Sequence, residues 1–188
     1  MDKKEIIIAS AIKRFRHYGV SKTTMQEIAN DCNIAVGTLY LYFKNKGDIV
    51  IACANEYAKL HKKQAQEIIN SNINSKEKIK LYLLERFNES KRTRTSSPHD
   101  IEITKAVLKY YPTRIKEEAE WMYENLFFIL KDGIKKGELN SEFPEKDIEV
   151  LLYSLVYFFP LAGQLSEEPN EDKYLDLIDW FINLWSIN

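Results

Sequence analysis

Ile34-Ala35-Val36-Gly37-Thr38-Leu39-Tyr40-Leu41-Tyr42-Phe43-Lys44-Asn45-Lys46 is the stretch whose residue types and spacing carry chemistry. Thr38 offers a hydroxyl to a phosphate or a base edge and a methyl to a thymine methyl. Tyr40 and Tyr42 combine flat apolar bodies with hydroxyls that reach phosphate oxygens. Gly37 has no side chain, so the backbone there can approach a ligand closely. Lys46 places a positive charge at the start of the next helix, whose dipole already favours anions. Upstream, Thr24 and Glu27 stand three apart, the spacing of a capping box. The helix that Thr24 opens offers further N–H groups to a phosphate. These groups suit a surface that grips a phosphodiester backbone and reads base edges.

Helices must position them. Residues 2–18 place Ile8, Ala11, Ile12 and Phe15 at the 3-4 spacing of one helical face, with Lys13, Arg14 and Arg16 opposite. Gly19 is a C-terminal stop. A short helix over 25–32 follows Thr24, and Asn33 suits the left-handed turn after it. A third helix over 36–43 turns Leu39 and Phe43 inward against Phe15 and Ile28. The arrangement is a helix-turn-helix, which sets the start of one short helix in the DNA major groove. Further helices are predicted from about 46 or 48 to 70 and over 76–91, 99–111, 113–136, 145–165 and 171–187. The fold class is therefore all-α, with about nine helices and no strands.

The series Ile7, Ala11-Ile12, Phe15, Gly19, Thr24, Ile28-Ala29, Ile34, Gly37-Thr38-Leu39-Tyr40, Tyr42-Phe43 and Lys46 resembles the N-terminal signature of the TetR family of bacterial transcriptional regulators. The resemblance covers the first quarter of the chain in detail and the rest only in helix number, length and order. It implies DNA contacts at Thr24, Gln26, Val36, Gly37, Thr38, Tyr40, Tyr42 and Lys46. It also implies a helix-turn-helix domain over 1–47 and a ligand-binding and dimerisation domain over 48–188. Two positions depart from the family pattern. Ala35 stands where a serine often caps the recognition helix, a loss of about 1 kcal/mol, and Asn33 stands where glycine is frequent.

Composition agrees with this division. The net charge of −1 conceals +4 over residues 1–47 and −5 over the remainder, a basic head on an acidic body that suits phosphate contact at one end. Leu151-Leu152-Tyr153-Ser154-Leu155-Val156-Tyr157-Phe158-Phe159 is apolar on nearly every side of its helix, whereas a surface helix shows a polar face. One side must cover its own domain and the other a second subunit. Tyr153, Tyr157, Leu177, Phe181 and Leu184 are the candidate homodimer interface, formed as in the family by the last two helices. Trp121, Asn125 and Phe128, at i, i+4 and i+7, are the candidate wall of a pocket for a small, mainly apolar effector.

Other functions find little support. Cys32 and Cys53 are in no Cys-x-x-Cys spacing and read as reduced, buried thiols. His17, His61 and His99 lack paired metal-ligand spacing. No Ser-His-Asp arrangement or phosphate loop points to an enzyme, and no cofactor is implied. The apolar run from Leu151 to Leu165 is broken by Ser154, Pro160 and Gln164 and falls short of the roughly 20 residues of a membrane span. A cytoplasmic, homodimeric, ligand-responsive repressor of a double-stranded DNA operator is the expectation. The alternative is a helix-turn-helix regulator with no small-molecule pocket, controlled by a protein partner.

Overall fold

The computed structural model describes residues 2–95, 97–159 and 169–187, without the side chains of 93–95. Among these residues lie nine α-helices and no strand: α1 Lys3–Tyr18, α2 Met25–Asp31, α3 Val36–Tyr42, α4 Lys46–Ile69, α5 Ser75–Thr95, α6 Asp100–Tyr110, α7 Arg114–Lys136, α8 Pro144–Leu155 and α9 Glu171–Leu184. No described helix is long and apolar enough to cross a membrane.

The local signals act as their chemistry requires. Gly19 closes α1 at φ 84°, its N–H donating to the Phe15 carbonyl at 2.9 Å. Thr24 caps α2: its hydroxyl accepts from the Glu27 N–H at 3.2 Å, and its own N–H donates to Glu27 Oε2 at 2.8 Å. Asn33 takes the left-handed conformation at φ 53°, which asparagine tolerates better than most residues. α3 begins at Ala35 without a side-chain cap. Asn45 Oδ1 supplies one for α4, accepting from the Asp48 N–H at 3.0 Å.

Two expected ends fall elsewhere. α5 continues past residue 91 to Thr95, with no glycine or proline to stop it. α8, expected to reach residue 165, stops at Leu155 and passes into a 3-10 turn, Val156–Phe158. Phe159 has left the helical region at φ −119°, ψ 52°, as the residue before a proline tends to do. The rest of that expected helix, 160–165, lies outside the described residues.

The chain divides into two compact units, residues 1–61 with 93–114 and residues 62–92 with 115–188. In the first, Ile7, Ala11, Phe15, Ile28, Leu39, Phe43 and Ile49 form a buried core, with Ile103, Val107 and Tyr110 of α6 packed against it. The first compact unit is thus larger than the expected 1–47. Three short helices bury little apolar surface by themselves, and α6 with the first half of α4 adds cover from distant sequence. In the second unit Tyr82, Phe87, Leu126, Ile129, Tyr174, Ile178 and Trp185 form a separate core.

A polar clasp joins the start of α6 to the end of α1. Ser97 Oγ donates to the Arg16 carbonyl at 2.6 Å, His99 Nε2 lies 3.1 Å from the His17 carbonyl, and the Ser21 N–H donates to Glu102. Burial pushes the Glu102 carboxyl up, but hydrogen bonds from Ser21 and the nearby His99 outweigh it and hold the group below the usual carboxylate range. A carboxylate with a depressed folded pKa contributes stability that is present above its unfolded value and is lost as pH falls through the folded one. Glu102→Gln is therefore expected to shift acid unfolding of this unit to higher pH and to flatten that limb of its stability curve. Circular dichroism melts between about pH 3 and 7 read the effect; identical profiles for the two proteins would remove Glu102 from the clasp's energetics.

Candidate nucleic-acid interface

The helix-turn-helix is braced from behind. Arg14 on α1 donates Nε to Asp31 Oδ2 at 2.5 Å and Nη2 to Asp31 Oδ1 at 2.8 Å, and its Nη1 lies 3.3 Å from Glu27 Oε1. This bidentate pairing fixes α2 against α1 with directional bonds. The hydrogen bond from Arg14 holds the Asp31 carboxyl below its ordinary range, and the Thr24 N–H does the same for Glu27. Within this frame Leu39 is fully buried, so the opposite side of α3 must face outward.

That outward side holds most of the sequence-predicted residues. Gly37 is exposed, and a Cβ built there would meet nothing within 4 Å. The glycine is therefore not demanded by the protein's own packing; its use, if any, lies in what approaches from outside. Thr38 and Val36 are half-buried, and Tyr40 and Tyr42 are exposed. Gln26 is exposed on α2, its amide donating to Asn30 Oδ1 at 2.8 Å. Thr24 lies at the start of the same helix, with its hydroxyl already engaged by Glu27.

Lys46 is placed differently from expectation. Its ammonium donates to the carbonyls of Val20 at 2.7 Å, Thr23 at 2.8 Å and Ser21 at 3.4 Å. A lysine ammonium has three donors, and here all three point into the turn between α1 and α2. In this structure its charge ties that turn to the start of α4 instead of standing free for a phosphate.

Sequence reasoning missed Leu41, which is 84% exposed between the two tyrosines. An apolar side chain so displayed fits a thymine methyl. Its position two residues from buried Leu39 was the available signal, because residues two apart on a helix do not share a face. Lys22 and Lys44 are also exposed in this unit.

The candidate effector wall is not assembled as expected. Trp121 packs beside the core ring of Tyr82, with the cations of Lys62 and Arg86 over its face at 5.1 and 5.6 Å. Asn125 donates to the Trp121 carbonyl at 2.9 Å and reaches Tyr82 Oη at 3.4 Å. Phe128, however, is 59% exposed. The inward stripe of α7 is Met122, Leu126, Ile129, Leu130 and Gly133, so the predicted stripe lies to one side and its far end turns outward.

The candidate dimer residues also divide. Tyr153 is 80% exposed and Tyr157 and Leu184 are exposed, while Leu177 is half-buried. Phe181 is only 3% exposed and belongs to the core of its own unit, its ring 5.6 Å from that of Trp185. It falls on the buried stripe of α9 with Tyr174, Ile178 and Ile182. The large apolar group on the outer side is Trp180, which sequence reasoning did not single out. Among the described residues no group of His, Cys, Asp and Glu is arranged to hold a metal. Burial pushes the Cys53 thiol up to about 12, far from a reactive thiolate.

Comparison with known proteins agrees with this geometry. Residues 7–53 match the model of bacterial regulatory proteins of the tetR family. The fatty acid metabolism regulator protein of Bacillus subtilis is 28% identical over 177 residues, 92% of this chain and 86% of that protein. The HTH-type transcriptional regulator YhgD of the same organism is 25% identical over 158 residues, 81% of this chain and 80% of its own. Among solved structures, a transcriptional regulator from Cytophaga hutchinsonii superposes with a TM-score of 0.76 at 26% identity, covering 97% of this chain and 98% of its own. A helix-turn-helix head followed by an all-helical body is the architecture of DNA-binding transcriptional regulators. Residues 7–53 of this chain form a DNA-binding head of the tetR type, and the chain along nearly its whole length is similar to transcriptional regulators.

Proposed function

We propose that the chain is a homodimeric repressor whose two heads bind the half-sites of a palindromic operator and which a small, mainly apolar molecule releases. The observation that carries the DNA-binding part is the outer side of α3. Gly37, Thr38, Tyr40, Leu41 and Tyr42 are displayed there on a helix held from behind by buried Leu39. Val36, Gln26 and Thr24 flank them, and Lys46 serves the interface through the turn it ties. The apolar effector draws support from the Bacillus subtilis relative, which bears the name of a fatty acid metabolism regulator.

Fluorescence anisotropy on DNA fragments from upstream of the chain's own gene tests the reading. Affinity is expected to fall steeply with salt as counterions are released. Tyr42→Phe removes one hydroxyl and is expected to weaken all sequences alike, by roughly fivefold for a hydrogen bond worth about 1 kcal/mol. Leu41→Ala is expected to relax preference for thymine at one position of each half-site, because it removes an apolar contact to a base. Binding that ignores both substitutions would place the interface elsewhere.

A further inference from the structure

A cavity of about 240 Å³ lies within the unit that carries the helix-turn-helix, and its lining includes none of the three residues expected to wall a ligand site, Trp121, Asn125 and Phe128. Its walls are apolar: Ile12 and Phe15 come from α1, Val50 and Cys53 from α4, Ile103 and Val107 from α6. Because the Cys53 thiol stays protonated, it lines the space as a small apolar group. Val20, Ala54 and Tyr57 add to the wall, and three charged side chains, Arg16, Arg114 and Asp100, also line it. Asp100 is itself buried and accepts from the Ser97 N–H at 2.8 Å.

The geometry points to a binding site for a small apolar carboxylate, whose occupancy sets the spacing of α1, α4 and α6 in the DNA-binding unit. Size follows from volume. An apolar cavity of about 150 Å³ accepts benzene, so this one has room for about ten non-hydrogen atoms by the same proportion. Charge follows from the lining, two guanidinium groups against one carboxylate. A guanidinium presents five donors in a fixed fork. A carboxylate matches that fork with two parallel bonds.

The consequence for DNA binding follows from which helices form the walls. α1 is braced to α2 through Arg14, only three residues separate α4 from α3, and α6 is clasped to the end of α1 by Ser97, His99 and Glu102. A molecule inserted among them bears on the frame that positions α3. Any preference of the ligand for one such spacing must appear reciprocally as a change in operator affinity. This consequence, though not the site itself, rests on the regulatory reading above.

Octanoate and phenylacetate, each of about ten non-hydrogen atoms by the volume argument, are the probes, with octanamide as the neutral isostere. Isothermal titration calorimetry on the whole chain is expected to show octanoate or phenylacetate binding, and octanamide binding at least tenfold more weakly than octanoate. Ala54→Phe, which fills the cavity, is expected to abolish binding. Arg114→Gln is expected to weaken the acids tenfold or more and leave the amide unchanged; this variant keeps the test sharp should Ala54→Phe fail to fold. Tryptophan emission is expected to change little, since Trp121, Trp180 and Trp185 all belong to the other unit. Operator affinity, measured on the same preparation, is expected to change at least threefold at saturating ligand. Loss of DNA binding without any probe would instead overturn the regulator reading. Intact DNA binding with neither acid bound, equal binding of acid and amide, or binding that survives Ala54→Phe would overturn the site. Acid binding with unchanged operator affinity would overturn its regulatory role.

Discussion

Tyr153→Glu is expected to yield a folded monomer with operator affinity at least about a hundredfold below the parent, the scale on which linked binding sites exceed single ones. The expectation comes from the two sides of α8 and α9. Ile148, Leu151 and Leu155 of α8 and Ile178, Phe181 and Ile182 of α9 are buried in the core of the second unit. Val150, Tyr153 and Tyr157 lie on the other side of the first segment, and Trp180, Leu184 and Ile187 on the other side of the second, all exposed. Large exposed apolar residues gathered on one side of a helix mark an interaction site. A glutamate at 153 costs the isolated chain little, because the position is open to water. Between two subunits it would be an unpaired charge in an apolar contact.

Trp180→Glu should behave likewise, whereas Phe181→Glu should unfold the chain, because that charge would enter the core of its own unit. Light scattering on a sizing column separates the outcomes. A dimer that survives both Tyr153→Glu and Trp180→Glu would put the subunit contact on another face.

The confusion between Phe181 and Trp180 shows where the sequence stops being informative. α9 reads Tyr174, Leu177, Ile178, Trp180, Phe181, Leu184, with large apolar residues on more than one side. A helix buried on one side labels its faces by polarity; one meant to be covered on two sides removes the label. The same loss affected Phe128, which periodicity places beside Trp121 and Asn125 but which α7 turns outward. The helix-turn-helix was legible for the opposite reason. Its capping box, left-handed Asn33, glycine stop and inward Leu39 are local signals within a few residues of one another, and each has a single structural solution. Packing of α6 on the head, the clasp through Glu102, and the cavity among α1, α4 and α6 join residues about 40 to 90 positions apart. Spacing along the chain carries no trace of them.

Lys46→Met is expected to cost about 2 kcal/mol of stability in the DNA-binding unit, the scale of leaving buried acceptors without a donor, and to leave the salt dependence of operator binding unchanged. Read from sequence, a lysine in a basic head opening a helix is a phosphate ligand. Its atoms give it another task. Val20 and Thr23 are buried residues, and the Lys46 ammonium is bonded to both of their carbonyls. Thr23 Oγ1 in turn donates to the Gly19 carbonyl at 2.7 Å, so one cation helps hold the whole turn that presents Thr24 and α2. Methionine keeps an unbranched apolar stem and removes only the charge and its donors. The two roles make opposite signatures. A lysine at a phosphate lowers the log–log salt slope by about 0.9 when removed, with little loss of fold. A lysine at buried carbonyls lowers the melting temperature by several degrees and weakens DNA binding through misplaced α2, with the slope intact. Thermal melts beside anisotropy titrations at four salt concentrations read both quantities from one preparation. A reduced slope with an unchanged melt would return Lys46 to the DNA interface and show that its ammonium leaves the carbonyls when the operator binds.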